Sequence, residues 1–448
     1  MKKRTFLKIS SLIVTGSFFT PPFLYRPDRE IGSNWAGNYH YKAKELHEPK
    51  GIDQVQVLVE ESEKVRVLGS RHSFNSIADS PEDLISLKNL RPEISIDREI
   101  QTVTVTAGVR YGELARHLQK HGFALHNLAS LPHISVAGAC ATATHGSGVR
   151  NGNLATAVSG MELITADGEL QAISRERDEE QLAGSVVGLG GVGVVTSVTL
   201  DIEPTYEVGQ YVYRDLSAKH LETHFDDIMS GAYSVSLFTD FRNNTINQVW
   251  MKNRLDDDIE FRAEDTLFDA RLADRHMHPI AEISAENCTR QMGIPGPWHQ
   301  RLPHFRMDFT PSSGDELQSE FFVPREHAWD AVAELFKLSD RIAPHLLISE
   351  IRTIDADNLW MSPCYRQPSV ALHFTWKPDW PSVKKVLPLI EERLAPYDVR
   401  PHWGKLFTLS PRVLQSRYEK LDDFKKLLAG YDPKGKFRNR FLEEYLYT

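Results

Sequence analysis

Two segments crowded with glycine, hydroxyl and histidine side chains constrain this chain most: VRVLGSRHSFN from Val65 to Asn75, and SLPHISVAGACATATHGSG from Ser130 to Gly148. Glycines let main-chain N–H groups approach an anion closely, and serine and threonine hydroxyls add donors. Loops of this composition can wrap a pyrophosphate. The imidazole of His72 inside the first loop then sits beside it as a nucleophile, and the combination points to a flavin site.

A third glycine cluster, Gly188-Leu189-Gly190-Gly191-Val192-Gly193, matches G-x-G-x-x-G letter for letter. That fingerprint binds a nicotinamide dinucleotide only when a strand precedes it and a helix opens at its end. Here the β-preferring run Val194 to Leu200 follows the glycines, so the order is wrong and a Rossmann NAD site is excluded.

At 448 residues the chain exceeds what one core usually supports, which predicts more than one domain. A formal charge of -9 argues against a nucleic-acid partner and favours a small neutral or cationic one. Cys140, Cys288 and Cys364 stand far apart without a C-x-x-C pair, and His276 with His278 offers too few ligands for zinc, so no disulfide framework and no metal are expected. Lys2, Lys3, Arg4 and Lys8 precede a short apolar stretch, Ile9 to Phe19, in the layout of an export signal. Its core Lys3-Arg4-Thr5-Phe6-Leu7-Lys8 resembles a twin-arginine signal with lysine for the first arginine. The expectation is an exported, periplasmic protein, with a cytoplasmic one as the alternative. No A-x-A cleavage site is visible, which leaves an uncleaved tether open. No later apolar run is long enough to span a membrane, and a monomer is expected.

Val65 to Leu68 reads as a strand, and Thr102 to Thr106 alternates with the period of a half-buried strand. Tyr111, Leu114, Ala115 and Leu118 fall on one helical face, with Gly122 at the C-terminal stop. Met161–Thr165 and Glu169–Ile173 flank the turn Ala166-Asp167-Gly168. Helices mixed with hairpins make the fold class α+β rather than doubly wound. The expected division is a signal-like segment at 1–32, a cofactor domain at 33–205 and a substrate domain with an antiparallel sheet at 206–400. A segment at 401–448 returns to the first domain. Within the second domain, Tyr233 to Phe241 is β-rich and Leu255 to Pro311 is irregular, the kind of long loop that usually carries function.

Side chains two apart on a strand share a face, so Ile348 to Thr353 pairs Glu350 with Arg352, and Val370 to Trp376 pairs His373 with Thr375. Taken alone, such faces could simply meet solvent. Lys405, beside a glycine in His402-Trp403-Gly404-Lys405, adds an ammonium, and the set together suits a polyhydroxylated ligand.

The landmarks then accumulate in one order. They are Asn34-Trp35-Ala36-Gly37-Asn38, Gly69-Ser70-Arg71-His72-Ser73-Phe74-Asn75, Ala129-Ser130-Leu131-Pro132-His133-Ile134-Ser135-Val136-Ala137-Gly138, Thr144-His145-Gly146-Ser147-Gly148, Pro295-Gly296-Pro297-Trp298-His299, Glu350-Ile351-Arg352-Thr353, His373-Phe374-Thr375-Trp376 and His402-Trp403-Gly404-Lys405. In these the chain resembles alditol oxidases of the xylitol or sorbitol oxidase type, in the vanillyl-alcohol oxidase superfamily with its PCMH-type FAD-binding domain. The resemblance implies FAD, bonded covalently through His72 to the flavin 8α-methyl group. It implies a pyrophosphate cradle from Val67, Leu68, Gly69, Ser70, Arg71 and Ser73. Further flavin contacts are implied for Ser130, Ser135, Gly138, Thr142, Ala143, Thr144 and His145, an adenine-side strand at Val195, and a contact near the isoalloxazine at His402. Ser130, Glu350, Arg352, His373, Thr375 and Lys405 would surround the polyol, with Lys405, Arg352 and Glu350 catalytic. The implied reaction takes a terminal alditol hydroxyl to the aldose by hydride transfer to flavin N5, with oxygen reduced to hydrogen peroxide. Cys140 departs from the pattern by adding a thiol near the flavin. An aldonolactone oxidase or dehydrogenase and a non-catalytic carbohydrate-binding relative are the alternatives.

Overall fold

The alternating threonines and valines of Thr102–Thr106 form the strand their period implies: Val103 and Val105 are fully buried while Thr104 faces solvent. In the computed structural model, residues 31–256, 263–308 and 316–448 are described. The export-signal motif at Lys3 to Lys8 and its apolar stretch therefore lie outside the described residues. Ile31–Thr448 form one compact unit.

Thr102–Thr106 belongs to a five-stranded sheet in the order Ile94–Asp97, Thr102–Thr106, Val194–Asp201, Val158–Ile164, Leu170–Ser174. Every pairing in it is antiparallel, and the last two strands are the hairpin expected around Asp167. The Gly188–Gly193 cluster follows the helix Arg175–Val186 and feeds the strand Val194–Asp201, the reverse of the nucleotide-binding order. Beside this sheet, Glu45–His47, Asp83–Ile85 and Val65–Val67 make a small parallel sheet. Val65–Val67 stops one residue short of the expected end, and Leu68 leads directly into the glycine-hydroxyl loop.

The second sheet has ten strands, and its centre runs Glu207–Ser217, Thr245–Arg254, Ser234–Thr239, Leu346–Ile354, Ser369–Trp376, Leu317–Pro324, Arg400–Pro401, antiparallel throughout. One face is covered by the helices His220–Ser230, Ala328–Lys337 and Trp380–Leu394, whose apolar stripes pack on Leu237, Phe321, Ile351, Leu372, Phe374 and Trp376. The other face is also largely buried; Glu350, Arg352 and His373 on it are each less than 9 % exposed, with Thr375 half-buried. The irregular stretch after Leu255 covers it, with His278, Pro279, Ile280, His304 and Phe305 closing a cavity. A sheet coated on both sides buries alternate residues of both sets, so the polar set must pair internally.

The C-terminal segment packs back on the first half: Leu421, Phe424, Leu428, Phe441 and Leu442 share a core with Val103 and Val105, and Val65 N donates to Lys436 O at 3.1 Å. Arg66 joins the pieces. Its guanidinium, 3 % exposed, donates to the carbonyls of Leu189 and Gly190 at 2.7 Å, to Phe437 at 2.9 Å and to Ile77. It thereby ties the misleading glycine loop, the cavity wall and the C-terminal segment to one strand. Burial pulls its pKa down to about 10, so it remains charged at neutral pH. Arg66→Met strips donors from four buried carbonyls and should lower stability by at least ~2 kcal/mol, read as a lower urea midpoint at unchanged slope. An unchanged midpoint would show that the clamp contributes nothing.

Candidate active site

A cavity of about 500 Å³ runs from the two glycine-hydroxyl loops to the polar face of the large sheet. Its first part is lined by Val67, Leu68, Gly69, Ser70, Arg71, His72, Ser73, Ser135, Gly138, Thr142, Thr144 and His145. Ser70 Oγ accepts from Ser135 N at 3.1 Å and locks the two loops together. A Cβ on Gly69 or Gly138 would come within 3.0 or 2.7 Å of Ser135 Oγ, so a larger residue at either place would displace the Ser135 hydroxyl. Arg71 takes a left-handed backbone, φ 64°, which turns the loop at the histidine. His72 stacks on Trp35 at 5.5 Å and 17°, and its Nδ1 lies 3.1 Å from Ser70 Oγ. Its Nε2 is buried without a hydrogen-bond partner, and burial pushes the imidazole's pKa down to about 4. A neutral, oriented, half-satisfied imidazole beside a backbone cradle fits the flavin end of FAD. Ala143 and Val195 do not line this cavity. Ala143, 1 % exposed, is packed in the core, and the half-buried Val195 packs its side chain against core residues of the five-stranded sheet.

The second part of the cavity is lined by Ser130, Glu350, Arg352, His373, Thr375, His402 and Lys405, which the structure brings together as a set. Cross-strand register explains why. Glu350 is paired with His373, and His373 with Glu320, so three ionisable side chains stand in one row across adjacent strands. Glu320 is the residue that sequence reasoning missed, and it is the hub. Its carboxylate, with no exposed surface, accepts from Arg352 Nη2 at 2.6 Å and from Lys405 Nζ at 2.7 Å, with His145 Nε2 at 3.3 Å and His373 Nδ1 at 3.6 Å. The sequence did hold a trace of it: in Leu317–Pro324 it is the lone carboxylate, opposite in phase to the core residues Phe321 and Val323.

The other contacts fix the protons. Lys405 Nζ also meets His373 Nδ1 at 2.8 Å, and His373 Nε2 meets Thr375 Oγ1 at 3.2 Å. Burial and the Lys405 charge hold the His373 imidazole neutral, so it accepts from Lys405 and donates to Thr375. Arg352 Nη1 donates to Ser130 Oγ at 3.3 Å, and Arg352 Nε lies 3.5 Å from Glu350 Oε1. Burial would raise the Glu320 carboxyl, but Lys405, His145 and Arg352 overcome it and hold it well below the usual range. Glu350 is likewise lowered against burial by Arg352 and His304. Burial lowers the Lys405 ammonium, Glu320 opposes the fall and Arg352 adds to it. Two anions, Glu320 and Glu350, therefore face two cations, and of these the Lys405 ammonium is lowered by burial while Glu350 and Glu320 hold the Arg352 guanidinium up.

Residues 46–174 match a family model described as FAD binding domain, and residues 314–445 match one described as D-arabinono-1,4-lactone oxidase. The chain is 48% identical over 418 residues to an alditol oxidase of Streptomyces sp. strain IKD472, covering 92% of this chain and 98% of that one. The chain belongs to the alditol oxidase family. Among more distant relatives are the L-gulonolactone oxidase of Mus musculus, 24% identical over 92% of this chain and 98% of its own, and the L-gulono-1,4-lactone dehydrogenase of Mycobacterium tuberculosis, 25% identical over 93% and 99%. Cholesterol oxidase from B. sterolicum shares the fold, with a TM-score of 0.74 at 15% identity, covering 96% of this chain and 100% of that one. As a member of the family the chain is an FAD-dependent oxidoreductase, and the residues lining the first part of the cavity fit the flavin and pyrophosphate of that cofactor.

Because Glu320 and Glu350 are depressed in the folded chain, each stabilises the fold above the ordinary carboxylate range, and that contribution is lost as pH falls through it. Glu320→Gln should flatten this acid limb in thermal melts. It should also shift the pH–rate profile toward acid, since Lys405 loses the carboxylate that retains its proton. A profile superimposable on that of the wild type would remove Glu320 from the account.

Proposed function

We propose that this enzyme oxidises a terminal hydroxyl of an acyclic polyol, an alditol such as xylitol or sorbitol, to the aldose. The observation that carries the reading is the Glu320 hub, which fixes an ammonium and a guanidinium in one part of the cavity beside the hydroxyls of Ser130 and Thr375 and the Glu350 carboxylate, with apolar side chains such as Phe238, Ile280 and Phe305 completing the wall. Bound FAD supplies the acceptor for the hydride of the carbinol carbon at N5, and oxygen takes the electrons on as hydrogen peroxide. Support also comes from the 48% identical relative named alditol oxidase.

The chain's own residues prepare the alcohol. Lys405, with two of its directions taken by Glu320 and His373, has a third for the reacting hydroxyl. As an ammonium it stabilises developing alkoxide together with Arg352; as an amine, which burial favours, it accepts the hydroxyl proton. Thr375, receiving the His373 proton, keeps its own hydroxyl hydrogen to donate, as does Ser130 under Arg352. Glu350 Oε1 is engaged by His304 at 2.7 Å, which leaves Oε2 to accept from a further substrate hydroxyl. Donors and acceptors spaced along a chain of hydroxyls orient it so that one carbinol carbon faces the flavin end.

His72 would hold the flavin covalently. Its support is the neutral, partly unsatisfied imidazole against the cradle. After denaturation in acid, yellow fluorescence should remain with the polypeptide, and in His72→Ala it should wash away. Free flavin released from the wild type would refute the bond.

The substrate reading is tested by adding xylitol, sorbitol or a gulonolactone without oxygen and following the flavin absorbance. Bleaching by the alditols, and slower or none by the lactone, is expected. The match to the lactone oxidase model over residues 314–445 favours the reverse order as the second reading. No bleaching by any of them would leave a binding protein.

A further inference from the structure

Lys252 is 1 % exposed, and among the described residues no carboxylate lies within hydrogen-bond reach of it. It stands on the strand Thr245–Arg254 between Gln210 and Ser234, and its Nζ donates to Leu302 O and meets His304 Nδ1 at 2.9 Å. An apolar side chain of similar length would fill this position at lower cost, so the cation needs a reason. The reason lies on the other side of the imidazole. His304 Nε2 is 2.7 Å from Glu350 Oε1, and Trp250 and Phe238 hold the ring edge-on at 5.1 and 5.5 Å.

We propose that Lys252 and His304 are positioning residues that act through Glu350: by donating to Nδ1, Lys252 selects the His304 tautomer whose Nε2–H grips Glu350 Oε1 and turns Oε2 toward a substrate hydroxyl. The inference rests on the polyol reading of the cavity. A neutral imidazole has one proton for two nitrogens, and in the other tautomer the Nε2 lone pair would oppose the carboxylate. Lys252 removes that state, because an amine or ammonium hydrogen already occupies Nδ1. Burial, with Lys252 and Glu350 acting in opposite senses, keeps His304 neutral with a pKa of about 4, so it stays a one-proton relay at working pH. Lys252 itself is pulled by burial to about 7, against the attraction of Glu350; Arg352 and Cys288 are the other titratable groups that act on it. The arm starts from the strand Thr245–Arg254, outside the two glycine-hydroxyl loops, and reaches Glu350 through a histidine whose backbone N–H also donates to Ser130 O at 3.2 Å.

The test is a double-mutant cycle read on the KM for xylitol, with kcat and flavin content followed alongside. Lys252→Met should raise KM on the order of tenfold, with kcat and flavin content little changed. In a Glu350→Gln background the same change should add less than about twofold, because the group it acts through is already altered. Full additivity of the two losses, or an unchanged KM in Lys252→Met, would overturn the proposal. A second pair guards against a variant that does not fold. His304→Gln keeps an amide donor for Glu350 and an acceptor for Lys252 and should remain near wild type, whereas His304→Phe keeps the ring and loses both bonds and should behave like Lys252→Met. A role in packing alone predicts the opposite order. If the wild type bleaches with a lactone and not with xylitol, the polyol reading falls, and the same cycle judges the arm on the lactone.

Discussion

A carboxylate shut away from water between an ammonium and a guanidinium organises this molecule. Glu320 is unfavourable alone, because a lone buried charge has no compensation for lost hydration. Arg352 at 2.6 Å and Lys405 at 2.7 Å supply that compensation and are in turn held by it. Breaking such a cluster by removing one member leaves the others uncompensated, so its three residues are energetically one unit. They come from Leu317–Pro324, Leu346–Ile354 and the turn after Arg400–Pro401, so the same contacts that make the site also pin the C-terminal segment against the sheet. Chemistry and architecture share the same bonds.

The two halves of the cavity solve opposite problems. The cradle side is built from backbone and small side chains, since an anion is best met by many N–H groups approaching closely. The other side is built from long charged and hydroxylated side chains projected from the sheet, a set that can both donate to and accept from hydroxyl groups. Antiparallel register sets that spacing: Glu320, His373 and Glu350 lie in one row, and Arg352 stands two residues from Glu350 on the same face. His304 and Phe305 lie over this face, which reduces the solvent exposure of its charges.

Much of this was legible in the sequence, for identifiable reasons. The period of Thr102–Thr106, the helix from Tyr111 and the hairpin at Asp167 are local, and local pattern decided them. The glycine cluster at 188–193 was rejected on element order, and the structure puts its helix before and its strand after. Glu350 with Arg352, and His373 with Thr375, followed from the two-residue repeat of a strand. Glu320, His304 and Lys252 did not follow, because their importance arises from pairing across strands and from a loop far away in sequence. Burial of the polar sheet face was also hidden: alternation tells that two faces differ, and only the covering loop tells that both are largely buried. The flavin contact at Ala143 and the adenine-side strand at Val195 came from resemblance alone; Ala143 is packed in the core and Val195 is half-buried against it.

The central claim is that Lys405, held by Glu320, eases loss of the hydroxyl proton and so governs hydride release. Stopped-flow mixing of oxygen-free Lys405→Ala with xylitol tests it most directly. Flavin reduction should slow on the order of 100-fold or more while flavin content stays that of the wild type. Reduction at a near-normal rate would contradict the account.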